Sequence, residues 1–159
     1  MFRKKVDENR EILLQSFYNL EDRLTEKLGT ELVTVAFTAS SEKAQKIESI
    51  VTLARHLAED GEKVLVIDTN LRESELDNVT GLTNDKGFID IILGDYSIEE
   101  ASIKDPNFED LSYIYSGDVG IYADKFLESE DIRNFYNHIH DKYDYVFINL
   151  TANKDIAEA

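Results

Sequence analysis

The sequence predicts an α/β fold of three layers, in which helices flank a mainly parallel β-sheet. Short β-rich stretches alternate with helix-like stretches along the 159 residues, which is the pattern of repeated βαβ units. One of these stretches, "KVLVID" (63–68), is a nearly continuous apolar run, as expected for a strand covered on both faces. The length also suits one domain with a substantial core.

The first part of the chain is predicted to form a helix, a strand and a second helix. Residues 6–28 carry apolar side chains at spacings of about three and four and precede Gly29, which indicates an amphipathic helix. "ELVTVAFTA" (31–39) alternates as a strand does, and the next helix ends at Gly61. The residues expected to face inward are Ile12, Leu13, Phe17, Leu20 and Leu24 in the first helix, and Ile47, Ile50, Val51, Ala54, Leu57 and Ala58 in the second.

The second part continues the alternation. Shorter helical turns are expected in "ESELDNV", "GFIDIILGD" and "SIEEA". A third strand (111–117), a helix (about 124–142) and a fourth strand (143–150) follow. We therefore divide the chain into an N-terminal amphipathic helix (1–29) and an α/β domain (30–159). The residues expected on the inner face of the last helix are Phe126, Leu127, Ile132, Phe135, Tyr136 and Ile139.

Composition and charge exclude several classes of protein. A net charge of −16 repels phosphate backbones, so nucleic-acid binding is not expected. Cysteine is absent, which excludes disulfides and thiolate metal sites and favours a cytoplasmic location. No apolar run reaches about eighteen residues, and no apolar h-region follows the charged N-terminus. We therefore expect neither a transmembrane helix nor a secretory signal.

Ligands of parallel α/β sheets bind beyond the carboxyl ends of the strands, so four loops are the places to search for a site. We also expect the sheet to be incomplete at its C-terminal end, because residues 151–159 are too few for another strand–helix unit. The four loops are residues 37–45, 68–72, 116–120 and 149–153.

Several motifs occur in a recognisable order. "GEKVLVIDTNLRES" (61–74) is followed by "TGLTNDKGFIDIILGDYSIEEA" (80–101), and the chain ends in a strand–helix–strand pattern up to Leu150. These stretches resemble the bacterial tyrosine kinases of the capsule and exopolysaccharide machinery, whose motifs are G-x-K-x-L-[LI]-[IV]-D-x-D-x-R, G-L-…-L-x-G-…-L-x-E and a final D-T-P-P. That family lies within the P-loop proteins that include the MinD and ParA ATPases. The resemblance reaches about Asn153 and implies a P-loop NTPase-like fold.

The phosphate-binding loop of the family departs most from its pattern. A loop of the form G-x-x-x-x-G-K-[ST] needs glycines so that its backbone N–H groups can surround phosphate, but "FTASSEKAQKI" contains none. Aligned on Lys46, the resemblance places Lys43 and Gln45 at two glycine positions and Ile47 at the hydroxyl that holds the metal. We interpret Lys43, Gln45, Lys46 and Ile47 as vestigial phosphate-loop positions, and expect extra helical turns or a tightened helix cap in place of the loop.

The acidic positions of the family are also incomplete. The resemblance implies carboxylates that hold Mg²⁺, and Asp68 and Arg72 match their motif, whereas Asn70 and Asn149 replace two further acids. Amides bring neither negative charge nor basicity, and phosphoryl transfer depends on positioning and on charge neutralisation by metal. We therefore expect no catalytic residue and no metal: Asp68, Asn70 and Arg72 are vestiges of the catalytic motif, and Asp68 and Asn149 of the metal site.

The N-terminal helix differs from the family as well. The kinases carry a glutamate and two arginines, at spacings of three, for ring-like self-association. Aligned on Asn19-Leu20, Glu11 is present, but the arginines fall on Leu14 and Phe17. A homo-oligomer is left open, without the residues that build it in the family.

These observations favour a non-catalytic, pseudokinase-like protein with no cofactor. It would bind a protein partner in polysaccharide synthesis or export, either a membrane adaptor or an active kinase relative. It would be cytoplasmic, with membrane association through that partner. Two alternatives stay open. The chain could bind ATP and Mg²⁺ and transfer phosphate with Lys46, Asp68 and Arg72 in an altered geometry, or it could be a MinD/ParA-type interaction module of another system.

Overall fold

The computed structural model describes residues 11–12, 14–20, 22–23, 26, 33–37, 46–70, 75–117 and 129–150. In this part of the chain five strands form one sheet with the order β1-β5-β2-β4-β3. The β1, β5, β2 and β4 strands are parallel, and β3 is antiparallel to β4. The strands are β1 (Val33–Phe37), β2 (Val64–Asp68), β3 (Ser102–Lys104), β4 (Leu111–Ile114) and β5 (Tyr145–Asn149).

Helices cover both faces of this sheet, which confirms the predicted three-layer α/β fold. Alternate residues of a strand point to opposite faces, so Val64 and Val66 pack in one core cluster with Phe17, while Leu65 and Ile67 pack in another with Phe135. Beyond the N-terminal helical segment, the helices of the described residues are α1 (Lys46–Glu59), α2 (Leu76–Thr80), α3 (Phe88–Ile92), α4 (Ile98–Ala101) and α5 (Ser129–Ile139).

The α1 helix confirms the apolar stripe expected from the sequence. Its buried residues include Ile47, Ile50, Val51, Ala54 and Leu57, which repeat at the spacing of one helix face. Such a helix gains most of its stability from the face that it buries against the sheet. Because α1 follows β1, its first residue lies near the carboxyl ends of the strands.

The N-terminal helical segment confirms its predicted apolar face only in part. Residues 14–20 are helical, but Ile12 is 65% exposed and Leu20 is 44% exposed, so the predicted stripe is wrong at these two positions. Phe17 is buried as predicted, and Leu14 packs against the same cluster. The Phe17 ring lies edge-on to Phe147, with ring centroids 5.5 Å apart. Aromatic packing against β5 therefore sets the rotation of this helical segment.

The structure differs from the sequence-based predictions at three further points. The β3 strand was not predicted, because its three residues are too short for a periodic pattern. The strand predicted over 111–117 ends at Ile114. The next residue, Tyr115, contacts the segment that leads into α3, where Phe88 N donates to Tyr115 O at 2.6 Å. Tyr136, predicted on the inner face of α5, is 38% exposed, whereas Phe135 and Ile139 are buried as expected.

Gly87 allows the segment before α3 to lie close to the backbone that follows β4. It forms an isolated parallel bridge with Tyr115, and a Cβ atom at this position would lie 2.1 Å from Gly117 N. A side chain of any size would push the two backbones apart, so the glycine is required by close approach.

The predicted division into residues 1–29 and 30–159 remains a prediction, because residues 27–32 lie outside the described part. Leu13, Leu24, Phe126 and Leu127 lie outside it too, as does the side chain of Ile132. Within the described ranges, no helix has the length and apolarity needed to span a bilayer.

Candidate functional site

The carboxyl ends of β2 and β5 bring Asp68 and Asn149 together. These residues are paired in the strand register, and they are 0% and 1% exposed. Asn149 Nδ2 donates a hydrogen bond of 3.0 Å to Asp68 Oδ1. The two positions that the resemblance assigned to metal-binding acids therefore form a buried carboxylate–amide pair.

Backbone donors complete the surroundings of the Asp68 carboxylate. Asn70 N donates to its Oδ1 at 3.0 Å, and Glu75 N donates to its Oδ2 at 3.3 Å. Burial raises the pKa of Asp68 above the ordinary value, and these hydrogen bonds act in the opposite direction by favouring the charged form. Both carboxylate oxygens are thus engaged by the chain itself.

The Asn149 backbone ties the same two strand ends. Its carbonyl accepts from Thr69 N at 3.1 Å and from Thr69 Oγ1 at 2.8 Å. Its side-chain Oδ1 is buried and has no hydrogen-bond partner within the structure. A buried acceptor of this kind costs free energy, so the arrangement satisfies Asp68 at the expense of one oxygen of its neighbour.

Lys46 lies at the start of α1, where the resemblance places the phosphate-loop lysine. Its Nζ donates to the carbonyl oxygen of Leu150, directly after β5. Burial lowers the pKa of Lys46, while the charges of Glu75 and Asp68 oppose that shift. The ammonium therefore links the start of the helix to the chain that leaves the sheet.

The next residue, Ile47, points into the protein. It is 6% exposed and belongs to the core cluster on the α1 face of the sheet. Where the family has a hydroxyl that holds metal, this chain has a buried aliphatic side chain, which offers no oxygen.

These observations test whether the Mg²⁺ implied by the resemblance fits. Mg²⁺ requires oxygen ligands in octahedral geometry, but Asp68 is already bonded to donors, Ile47 has no oxygen, and Asn149 turns its NH₂ group towards the carboxylate. The unpartnered Oδ1 of Asn149 is a single neutral oxygen. No group of three or more acidic, His or Cys side chains able to hold a metal ion occurs in the described ranges. The described residues do not fit the Mg²⁺ site of the family.

The predicted site residues thus divide into two groups. The structure brings Asp68, Asn149 and Lys46 to one end of the sheet and places Asn70 beside Asp68 through its backbone N–H. Thr69 and the Leu150 carbonyl were not predicted. Thr69 had a signal, since it follows Asp68 directly, but a backbone carbonyl leaves none. Lys43, Gln45 and Arg72 lie outside the described residues.

Comparison with known proteins places this arrangement in context. No family model matches the chain. The chain is similar to the septum site-determining protein MinD of Bacillus subtilis (strain 168), with 28% identity over 121 residues, which are 74% of this chain and 44% of MinD.

Solved structures give a stronger likeness. The chimerical protein CapA2B2 has a TM-score of 0.76 at 19% identity, covering 91% of this chain and 63% of CapA2B2. The kinase domain of the Escherichia coli tyrosine kinase ETK has a TM-score of 0.70 at 23% identity, covering 79% of this chain and 49% of that domain. MinD from Pyrococcus horikoshii OT3, solved with Mg-ADP, has a TM-score of 0.64 at 22% identity, covering 77% of this chain and 50% of MinD.

This chain has the fold of tyrosine kinase domains and of MinD. The resemblance predicted from the motifs is confirmed at the level of the fold. The chain spans between 44% and 63% of the length of these relatives, so the shared fold covers about half of each.

Proposed function

We propose that this chain is a non-catalytic, tyrosine-kinase-like protein that acts by binding another protein. The observation that carries the proposal is the hydrogen bond of 3.0 Å from Asn149 Nδ2 to Asp68 Oδ1. In a phosphoryl-transfer site two acids at these strand ends would share a divalent cation. Here an amide donor takes the place of the cation, and the Asp68 carboxylate is hydrogen-bonded without one.

Charge supports the same proposal. An active site of this type must neutralise the negative charge of a triphosphate. The chain carries a net charge of −16. The Asp68–Asn149 pair offers one carboxylate to a metal instead of two, and the Lys46 ammonium is bonded to a backbone carbonyl. Binding of Mg-ATP would have to break that hydrogen bond and to free the Asp68 carboxylate from its own donors. Both steps oppose binding.

The partner is proposed from the resemblance. We propose a partner in capsular or extracellular polysaccharide synthesis: the cytoplasmic end of a membrane adaptor or an active kinase relative. Association with a membrane then follows from the partner.

Thermal unfolding in the presence of nucleotide tests the absence of a cofactor site. A ligand present at 100 times its Kd stabilises a folded protein by about 2.7 kcal/mol, which moves the melting temperature by several degrees. We expect millimolar ATP or ADP, with and without Mg²⁺, to leave the melting temperature unchanged. A shift of several degrees that requires Mg²⁺ would contradict the proposal.

Phosphate transfer provides a second, independent measurement. We expect no incorporation of labelled phosphate into the chain or into a kinase relative, for the native protein and for Lys46→Met alike. Incorporation that is lost in Lys46→Met would instead support the kinase with altered geometry. Calorimetric titration with the purified partner then measures the interaction that the proposal requires.

A further inference from the structure

A cavity lies at the carboxyl end of β4, beside the strand that ends in Asp68. The sheet order places β4 next to β2, and ligands of parallel sheets bind beyond the carboxyl ends of the strands. The cavity has a volume of about 360 Å³, which is within the range of small-ligand pockets. Its walls include Asp77, Asp85, Ser116 and Gly117. The site described above does not use any of these residues.

The wall that follows β4 is held in place by the start of α3. Ile89 N donates to the carbonyl oxygen of Ser116 at 3.1 Å. Asp90 Oδ2 accepts from Gly87 N at 2.7 Å, and a Cβ atom on Gly117 would lie 2.6 Å from the same oxygen. Backbone hydrogen bonds and close packing therefore fix this wall, so the cavity is part of the fold.

The carboxylates of Asp77 and Asp85 give the cavity negative charge. Neither residue belongs to an ion pair within the part of the chain that the structure describes. Lys86 follows Asp85 directly, but its Nζ lies over the Tyr96 ring, 4.2 Å from the centroid. Because the whole chain is also acidic, with a net charge of −16, the cavity attracts a cationic group.

A buried hydroxyl provides a second, independent observation. Ser116 is only 4% exposed, and its side chain makes no hydrogen bond to another described residue. A buried polar group without a partner costs free energy. Since Ser116 lines the cavity, a ligand that enters there can supply the missing donor.

From these observations we infer that the cavity binds the guanidinium group of an arginine side chain from a protein partner. A guanidinium is a planar cation with N–H donors only, and it is more weakly hydrated than an ammonium. It therefore suits a cavity that combines carboxylates with a hydroxyl acceptor. A metal ion is a poorer match, because the described residues contain no set of three acidic, His or Cys side chains able to hold one. The inference rests on the proposed function, since it names the kind of side chain by which the protein partner is recognised.

NMR titration of the full chain with Nα-acetyl-arginine amide tests the inference. We expect saturable shifts of the backbone amides of Asp85, Ser116 and Gly117, and none with Nα-acetyl-citrulline amide, which has a similar shape and no charge. In Asp77→Asn and in Asp85→Asn, Kd should rise by about threefold, the effect of losing one solvent-accessible pair of charges. Asp95→Asn removes the same charge from an exposed residue outside the cavity and should leave Kd unchanged.

A fourth variant separates the hydroxyl from the charges. Ser116→Ala retains both carboxylates and removes the buried acceptor, so Kd for Nα-acetyl-arginine amide should again rise by about threefold. Circular dichroism shows whether each variant is folded. If Asp77→Asn or Ser116→Ala does not fold, Asp85→Asn decides, because Asp85 is exposed.

Several results would overturn the inference. These are the absence of saturable shifts at Ser116, an equal response to the citrulline compound, or a loss of affinity in Asp95→Asn as large as that in Asp85→Asn. Equal affinity for Nα-acetyl-lysine amide would overturn the assignment to a guanidinium. None of these results affects the nucleotide experiments, and a nucleotide-dependent melting temperature would contradict the proposed function without altering the arginine titration, so the two failures are distinguishable.

Discussion

At the scale of single residues, the amide of Asn149 determines how the buried Asp68 carboxylate is held. Asp68 and Asn149 are both buried, and a buried charge is stable only when it is paired or hydrogen-bonded. Asn149 supplies a donor at 3.0 Å, and the backbone supplies two more. The Asp68 carboxylate is therefore hydrogen-bonded on both oxygens within the protein.

Restoring the acid should reverse this balance. We expect Asn149→Asp to lower the free energy of unfolding at neutral pH by about 2–4 kcal/mol, because two buried carboxylates then lie side by side. Burial already raises the pKa of Asp68, and the added charge would raise the pKa values of the pair further. With pKa values higher in the folded state, folding takes up protons, so the deficit should shrink as the pH falls towards the ordinary Asp value of 3.8.

Urea denaturation over a range of pH values measures this deficit. Asn137→Asp adds the same charge on the exposed face of α5 and should change stability by less than about 0.5 kcal/mol. Millimolar Mg²⁺ should recover part of the loss in Asn149→Asp and have no effect on the native chain. Equal free energies of unfolding for the two variants at neutral pH would show that a second carboxylate beside Asp68 does not destabilise the fold, and would contradict the prediction.

The sequence predicted which positions meet at this site, but not which atoms are bonded there. The motif order indicated that positions 68 and 149 meet, because both follow strands of a parallel sheet, and the structure places them together. The residue types indicated that acids had been replaced. Neither revealed that Asn149 would donate to Asp68, or that Lys46 would bond to a backbone carbonyl. Such contacts depend on side-chain orientation and on main-chain atoms, which leave no trace in composition or spacing.

At the scale of helices and strands, prediction succeeded where the apolar pattern was long and unambiguous. The α1 stripe and the buried run of β2 are of this kind. The prediction for the N-terminal helix was wrong at Ile12 and Leu20. Its sequence offers two apolar faces, and packing against β5 determines which of them is buried. Phe17 contacts the aromatic side chains of β5, which the helix pattern alone does not contain.

The Phe17 contact gives a prediction for that element. We expect Phe17→Ala to lower the free energy of unfolding by about 3 kcal/mol, because it removes a ring that is 6% exposed and packs on Phe147 and Tyr145. Leu20→Ala truncates a residue of the same helical segment that is 44% exposed, and should cost less than about 0.5 kcal/mol.

Chemical denaturation measures both costs, and limited proteolysis locates the change. Release of the helical segment should make the chain near residues 14–20 cleavable in Phe17→Ala at a protease concentration that spares Leu20→Ala. If the two variants were equally stable, the aromatic contact would not hold the segment on the sheet.

At the scale of the whole molecule, the fold and the site depend on different residues. The sheet order and the layers are those of tyrosine kinase domains and MinD, at 19–23% identity to the three structures compared. Such a fold depends on burying apolar faces, which many sequences satisfy. The site depends on a few glycines, acids and a hydroxyl, and the sequence lacks several of them. Sequences can therefore share this fold while their sites differ, because the two place demands on different residues.

Net charge supplies the prediction at this scale. The chain carries −16, and like charges brought together in a compact state repel each other. We expect the melting temperature at neutral pH to rise when NaCl is added to a low-salt buffer, because ions screen that repulsion. A low protein concentration keeps any self-association out of the salt effect. Near pH 4.5, the isoelectric point of the sequence, the net charge is close to zero and the rise should vanish. A melting temperature that falls with NaCl at neutral pH would mean that attractive ion pairs, such as Arg55–Asp105, outweigh the excess of acidic residues.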